Sequence, residues 1–169
     1  MIPRYLTISG FLSYQAPVKI DFSDIRVACI TGQNGAGKSA MLDAMTWALF
    51  GEARKNDESV INEAVDPQVA NVVFDFSYES ALYRIDRTMK KGRPKTVEFF
   101  IWSETTSEWR SLTEKTVGKT DKKICDVLHT NFRTFENVSF FLQGKADKFT
   151  SQNATSRKEI LSDILGLEV

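Results

Sequence analysis

Residues Gly32 to Ser39 read Gly-Gln-Asn-Gly-Ala-Gly-Lys-Ser, and this octapeptide restricts the fold more than any other stretch of the chain. A Gly-x4-Gly-Lys-Ser loop works only between a strand and a helix. Its glycines let consecutive backbone N–H groups turn inward, and the following helix aims its positive end at the same point. The flanks meet that demand. Val27-Ala28-Cys29-Ile30 is a short apolar run that predicts a buried strand, and Met41, Leu42, Met45, Ala48 and Leu49 recur at helical spacing from Lys38 to Phe50, with Gly51 where a helix ends. A loop so placed cradles a nucleotide's phosphates, with Lys38 neutralising β- and γ-oxygens and the Ser39 hydroxyl holding Mg2+. The plainer alternative, a glycine-rich turn capping an ordinary helix, fits the pattern and its flanks less well.

Around this loop the hydrophobic period changes. Tyr5, Thr7 and Ser9, then Val18 to Phe22, alternate in the manner of strands, so three strands are expected before the first helix. From Asn71 the period is again two: Phe74, Phe76 and Tyr78, then Leu82 to Arg87, then Val97 to Trp102, separated by Glu79-Ser80 and Gly92-Arg93-Pro94-Lys95. This predicts an antiparallel meander, with Trp102 and Trp109 packed across a hairpin. Asp121 to His129, with Ile124, Val127 and Leu128 on one face, and Ser156 to Leu165, with Ile160, Leu161, Ile164 and Leu165, read as helices that pack on the sheet.

Hydrolysis would require an acidic residue ending a second apolar strand. Val72-Val73-Phe74-Asp75 imitates one, but the alternation through Tyr78 puts Asp75 on the polar face of a meander strand, which makes it structural. Charge excludes another class. With 22 Lys and Arg against 22 Asp and Glu the chain is formally neutral, so it is no uniformly basic nucleic-acid binder. Between Ala81 and Arg133, however, 12 basic residues face 7 acidic ones. Lys90, Lys91, Arg93 and Lys95 flank a hairpin turn, and Lys119, Lys122 and Lys123 lead into a helix; both groups suit a DNA backbone, and solvated surface charge accounts for them equally well.

Cys29 and Cys125 stand far apart, which excludes a disulfide framework and a zinc knuckle; both are expected as small core residues in a reducing, cytoplasmic setting. No apolar run reaches membrane-spanning length and no signal-peptide pattern opens the chain, so neither secretion nor membrane insertion is expected. His129, the sole histidine, ends a helix, where it serves the dipole or is simply solvated. Without repeats or a linker, residues 1–169 are read as one domain.

Four stretches carry a family likeness: Leu6 to Tyr14; the loop Thr31 to Ser39 with Leu42-Asp43-Ala44; Trp47 to Arg54; and Phe141-Leu142-Gln143-Gly144-Lys145-Ala146-Asp147, followed by Arg157-Lys158-Glu159 and Leu165-Gly166-Leu167-Glu168. They span nearly the whole chain. With them the sequence resembles the N-terminal part of the SbcC family of SMC-like ATPases, which work with the nuclease SbcD in DNA double-strand-break processing. The resemblance implies an α/β fold, the N-terminal lobe of an ABC-type P-loop ATPase head with a mixed sheet and an antiparallel meander. It implies ATP and Mg2+ as cofactors, held by Ser13, Asn34, Gly35, Ala36, Gly37, Lys38, Ser39 and Ala40. Gln143 matches the glutamine that contacts the metal or the attacking water, so Lys38 and Gln143 are the expected catalytic pair and Ser39 and Gln143 the metal ligands. In the segment Phe11 to Tyr14 many relatives carry an arginine where this chain has Leu12.

The same resemblance implies partners: the C-terminal lobe of the same head, a second head in a homodimer, an SbcD-type nuclease and double-stranded DNA, in a nucleoid-associated cytoplasmic location. The acidic Mg2+ strand, the signature loop and the switch histidine of the family's second half have no match here, and the family's coiled coil would start near Val169. The chain is therefore expected to be a half-head, nearly inactive alone, with apolar faces of the helices around Ile124 and Ile160, or of the meander, left partly uncovered. Its rivals are a RecN- or RecF-type ATPase, a self-contained nucleotide kinase and a non-catalytic interaction module.

Overall fold

A computed structural model describes residues 1–55 and 57–138, and residues 153, 155, 156 and 158 beyond them. The chain divides into two compact units, Met1–Ile124 and Cys125–Val169.

The first unit is built on a six-stranded sheet. Its strands are β1 (Ile2–Ser9), β2 (Val18–Asp21), β3 (Val69–Tyr78), β4 (Ala81–Lys90), β5 (Thr96–Ser103) and β6 (Glu108–Ser111), in the order β2-β1-β3-β4-β5-β6. Every pairing is antiparallel. The meander is thus formed as the period-two pattern predicts, and β1 extends it at β3.

Alternation puts one face of the sheet in the core. Leu6, Phe74, Ile85 and Phe99 are register partners on four adjacent strands, and all four are fully buried. On the opposite face Asp75 and Arg84, also register partners, form a bidentate ion pair at 2.7 and 2.6 Å. The Arg84 guanidinium lies over the Trp109 ring, which meets Trp102 edge-on with centroids 5.3 Å apart. Asp75 is therefore a sheet ion-pair residue, and the tryptophans are hairpin packing.

Helix α1 (Lys38–Phe50) covers the core face, packing on β1, β3 and β4. Both of its ends match the sequence expectation. Gly51 adopts a left-handed conformation with φ 71°, and its N–H caps the Trp47 carbonyl. Helix α2 (Val117–Leu128) begins four residues earlier than the apolar pattern indicates. The reason is a local cap: the Thr116 hydroxyl accepts the Lys119 N–H at 3.3 Å, a signal that hydrophobic spacing does not carry. His129 follows the helix with φ 49° and is exposed.

In the second unit α3 (Phe132–Val138) starts at Asn131, whose side chain accepts the Thr134 N–H at 2.9 Å. The expected helix Ser156–Leu165 lies largely outside the described residues.

Two expectations fail together. Residues 28–30 form no strand, and Ile25, Val27 and Ile30 are exposed, Val27 by 93%. Only two strands precede α1, and Cys29, expected in the core, is exposed with them. The physical reason is pairing: a strand exists only when its N–H and C=O groups find a neighbouring strand, and none of the described strands lies beside this segment. Ile124, conversely, is fully buried, and the large apolar residues exposed among those described are Ile25, Val27 and Ile30 together with Met1, Ile2 and Val18; Ile160 lies outside the described residues.

Candidate functional site: the phosphate loop

Two loops meet at the N-terminal end of α1. The first, residues 10–15, leaves β1 at Gly10, whose φ is +60° and where a Cβ would lie 1.9 Å from the Val69 carbonyl oxygen. Only glycine lets the backbones approach so closely. Phe11 is fully buried against Trp47 of α1, centroids 5.1 Å apart. Leu12, with φ 47°, donates its N–H to the Val60 carbonyl at 2.7 Å and accepts at its own carbonyl from the Asn62 amide. Leu12 thus holds a backbone turn, and no cation reaches the phosphate loop from this position.

The second loop is Gly32–Gly37. Gly35 and Gly37 have φ of 84° and 88°, and Gly37 is the N-cap of α1 without a side-chain capping bond. No acidic residue occupies the first turn. The N–H groups that open α1 are therefore met by neither a capping side chain nor a local carboxylate, and they lie beside an exposed loop. Lys38 Nζ donates to the Gly32 and Gln33 carbonyls, each at 2.8 Å, folding its ammonium over the loop. Ser39 is exposed next to it, Asn34, Gly35 and Ala36 are exposed, and Ala40 is buried.

The two loops touch. A Cβ at Gly37 would lie 3.0 Å from Ser13 Oγ and 3.2 Å from the Tyr14 ring, so this contact itself favours glycine. Tyr14 donates its hydroxyl to the Gly37 carbonyl at 3.3 Å, and burial pushes that hydroxyl's pKa up, keeping it a donor. Ser13 thus lies beside the loop. Sequence pattern does not single out Tyr14 or Asn62 for this role, because it depends on which loop folds back on which.

These residues fit a nucleoside polyphosphate with its divalent cation: the uncapped amides that open α1, the Lys38 ammonium and the exposed Ser39 hydroxyl. Among the described residues no group of three or more His, Cys, Asp or Glu gathers to hold a metal ion; Ser39, expected as a metal ligand, presents its exposed hydroxyl at the start of α1. Gln143, the other expected ligand and catalytic residue, lies outside the described residues.

The candidate DNA residues divide. Lys90, Lys91 and Arg93 are exposed on the β4–β5 turn, which is pinned by the Gly92 N–H donating to Glu58 at 2.6 Å. Lys119 and Lys122 are exposed on α2, and Lys123 is half-buried. Lys95 points elsewhere: its Nζ would be 3.2 Å from a Cβ at Gly51, at the negative end of α1.

A family model described as "AAA domain" matches residues 5–168. Among curated proteins the chain is similar to "Probable DNA double-strand break repair Rad50 ATPase" of Aquifex aeolicus, 31% identical over 99% of this chain and 17% of that protein. It is also similar to the SbcC component of nuclease SbcCD from Deinococcus radiodurans, 26% identical over 99% of this chain and 19% of that protein. Among solved structures the SMC head domain from Thermotoga maritima aligns with TM-score 0.48 and 27% identity, covering 65% of this chain and 39% of that one. The chain spans less than a fifth of the length of these two curated relatives. No helix among the described residues is long and apolar enough to cross a membrane.

Proposed function

Because this chain belongs to the AAA domain family, whose members bind nucleotide, we propose that it is the ATP-binding half of the ATPase head in a DNA double-strand-break repair nuclease complex. The observation that carries the reading is the uncapped start of α1 under Lys38, with Ser39 free beside it. The names of the Rad50 and SbcCD relatives supply the process.

In this reading the amides of Gly35 to Ala40 hold the phosphates once that of Ala36 leaves the Gln33 carbonyl, Lys38 leaves the carbonyls of Gly32 and Gln33 for the β/γ-oxygens, and Ser13 and Tyr14 fix the loop from behind. Ser39 would hold Mg2+, which would supply charge neutralisation to the nucleotide. Gln143 orients the water that attacks the terminal phosphate. Turnover further needs charge stabilisation from a second direction, which the C-terminal lobe and a second head supply. Residues 25–30 are the edge at which that lobe pairs, since Val27 and Ile30 are apolar and exposed there. The complex works in the cytoplasm at the nucleoid with an SbcD-type nuclease. Lys90, Lys91, Arg93, Lys119 and Lys122 meet the DNA backbone, with Lys123 at the margin.

Calorimetry with MgATP tests the core of the proposal. Lys38→Ala should abolish binding, whereas Asp75→Asn, on the far face of the sheet, should leave it intact. Undiminished affinity in Lys38→Ala would remove the loop from the function. Hydrolysis should be negligible for residues 1–169 alone and return when the C-terminal lobe is added.

A further inference from the structure

One buried charge is used neither by the phosphate loop nor by the sheet's ion pairs. Ile8, Val72, Arg87 and Val97 are register partners across β1, β3, β4 and β5, so Arg87 occupies a rung of the core face that is otherwise apolar. It is fully buried. Its Nε and Nη2 both donate to the carbonyl of Ala48, at 3.1 and 3.0 Å, and Nη2 also donates to Asp121 Oδ1 at 2.7 Å. Ala48 belongs to the last turn of α1, where carbonyls have no partner within the helix. Asp121 lies in the second turn of α2, with its side chain 25% exposed.

Stability does not explain the arrangement. A buried ion pair gains little over a well-packed apolar isostere, because desolvating the charges offsets their attraction. Electrostatic action on a bound phosphate does not explain it either: Ala48 lies ten residues beyond Lys38, about 15 Å along α1, and the Arg87 charge is already paired with Asp121 at 2.7 Å. What three directional bonds from one planar group do achieve is to fix where the end of a helix lies.

We infer that Arg87 is a positioning residue of the nucleotide site: it ties the C-terminal end of the phosphate-loop helix to the first turns of α2, so that their placement sets the aim of the loop at the other end. This rests on the phosphate loop's being the nucleotide site, as proposed above. The residues at the junction are consistent with it. Gly51 has no side chain at the point where a Cβ would come 3.1 Å from Arg87 Nη1, and α1 carries no basic residue in its own last turn.

The test compares Arg87→Met, Asp121→Asn and Ile124→Val in the 169-residue chain, following melting temperature, MgATP affinity and the backbone amide resonances of Gly35 to Ser39. Ile124→Val trims a buried side chain of the same helix and leaves the Arg87 bonds in place. Arg87→Met and Asp121→Asn are expected to shift the loop amides without nucleotide and to weaken MgATP binding about three- to tenfold, with Arg87→Met also melting below the parent because it takes the guanidinium from Asp121 and the Ala48 carbonyl. Ile124→Val should lower the melting temperature and leave the loop amides in place. Unmoved loop amides in both Arg87→Met and Asp121→Asn would overturn the inference, as would equal shifts in all three variants. Should Arg87→Met fail to fold, Asp121→Asn decides alone. A parent chain that ignores MgATP would count against the nucleotide reading, and the amide shifts would still decide whether Arg87 sets the loop.

Discussion

The meander and the segment entering the phosphate loop contain comparable apolar runs, yet one is core and the other is surface. Val72, Phe74 and Phe76 are fully buried, whereas Val27 is 93% exposed and Ile30 42%. The difference lies in where each finds its partner. β3 meets β4 through a turn at Glu79-Ser80, so its ladder closes at the cost of a very short loop. Residues 27–30 have no hairpin neighbour, and a strand buried on both faces needs partners brought from elsewhere. Hydrophobicity thus marks a segment for burial, while connectivity decides whether the chain itself can bury it.

Substitutions break this comparison in graded steps. Phe74→Ala removes a ring from the rung shared with Leu6 and Ile85 and should destabilise the first unit by about 3–5 kcal/mol, seen in chemical denaturation. Gly10→Ala strikes the junction of the two regions. With φ of +60° and Val69 O only 1.9 Å from the new Cβ, it should cost about 2 kcal/mol or more and disturb the 10–15 loop along with the sheet. Val27→Asp should change stability by no more than about 0.5 kcal/mol in the chain alone, since it replaces an exposed side chain. In the assembled head the same change should block association with the C-terminal lobe, measured by co-purification; a large loss of stability in the isolated chain would mean that 25–30 is already part of its core.

The smallest effect is a pH dependence where residues 57–62 brace the 10–15 loop. The Ser59 hydroxyl and then its backbone N–H hold the exposed Asp57 carboxylate below its ordinary pKa. A lowered carboxylate pKa stabilises the folded chain above the ordinary value, near pH 3.9, and that contribution is lost as pH falls through the folded value. Asp57→Asn should therefore be slightly less stable than the parent at neutral pH and indistinguishable from it in acid, by denaturant midpoint. A difference that persisted in acid would assign the effect to the 3-10 turn Glu58–Val60 itself.

Sequence alone established the phosphate loop, both ends of α1, the meander and the structural character of Asp75, because each depends on neighbours in the chain: glycine conformations, periods of 2 and 3.6, and hairpin connections. Tertiary structure decided the rest. It left Cys29 and Val27 at the surface for want of a pairing strand, turned Lys95 toward the end of α1, held Leu12 at positive φ through Val60 and Asn62, and buried Arg87 where Ala48 and Asp121 accept its hydrogen bonds. A strand's partner and a charge's counter-charge come from residues tens of positions away, and local pattern carries no record of which distant group arrives.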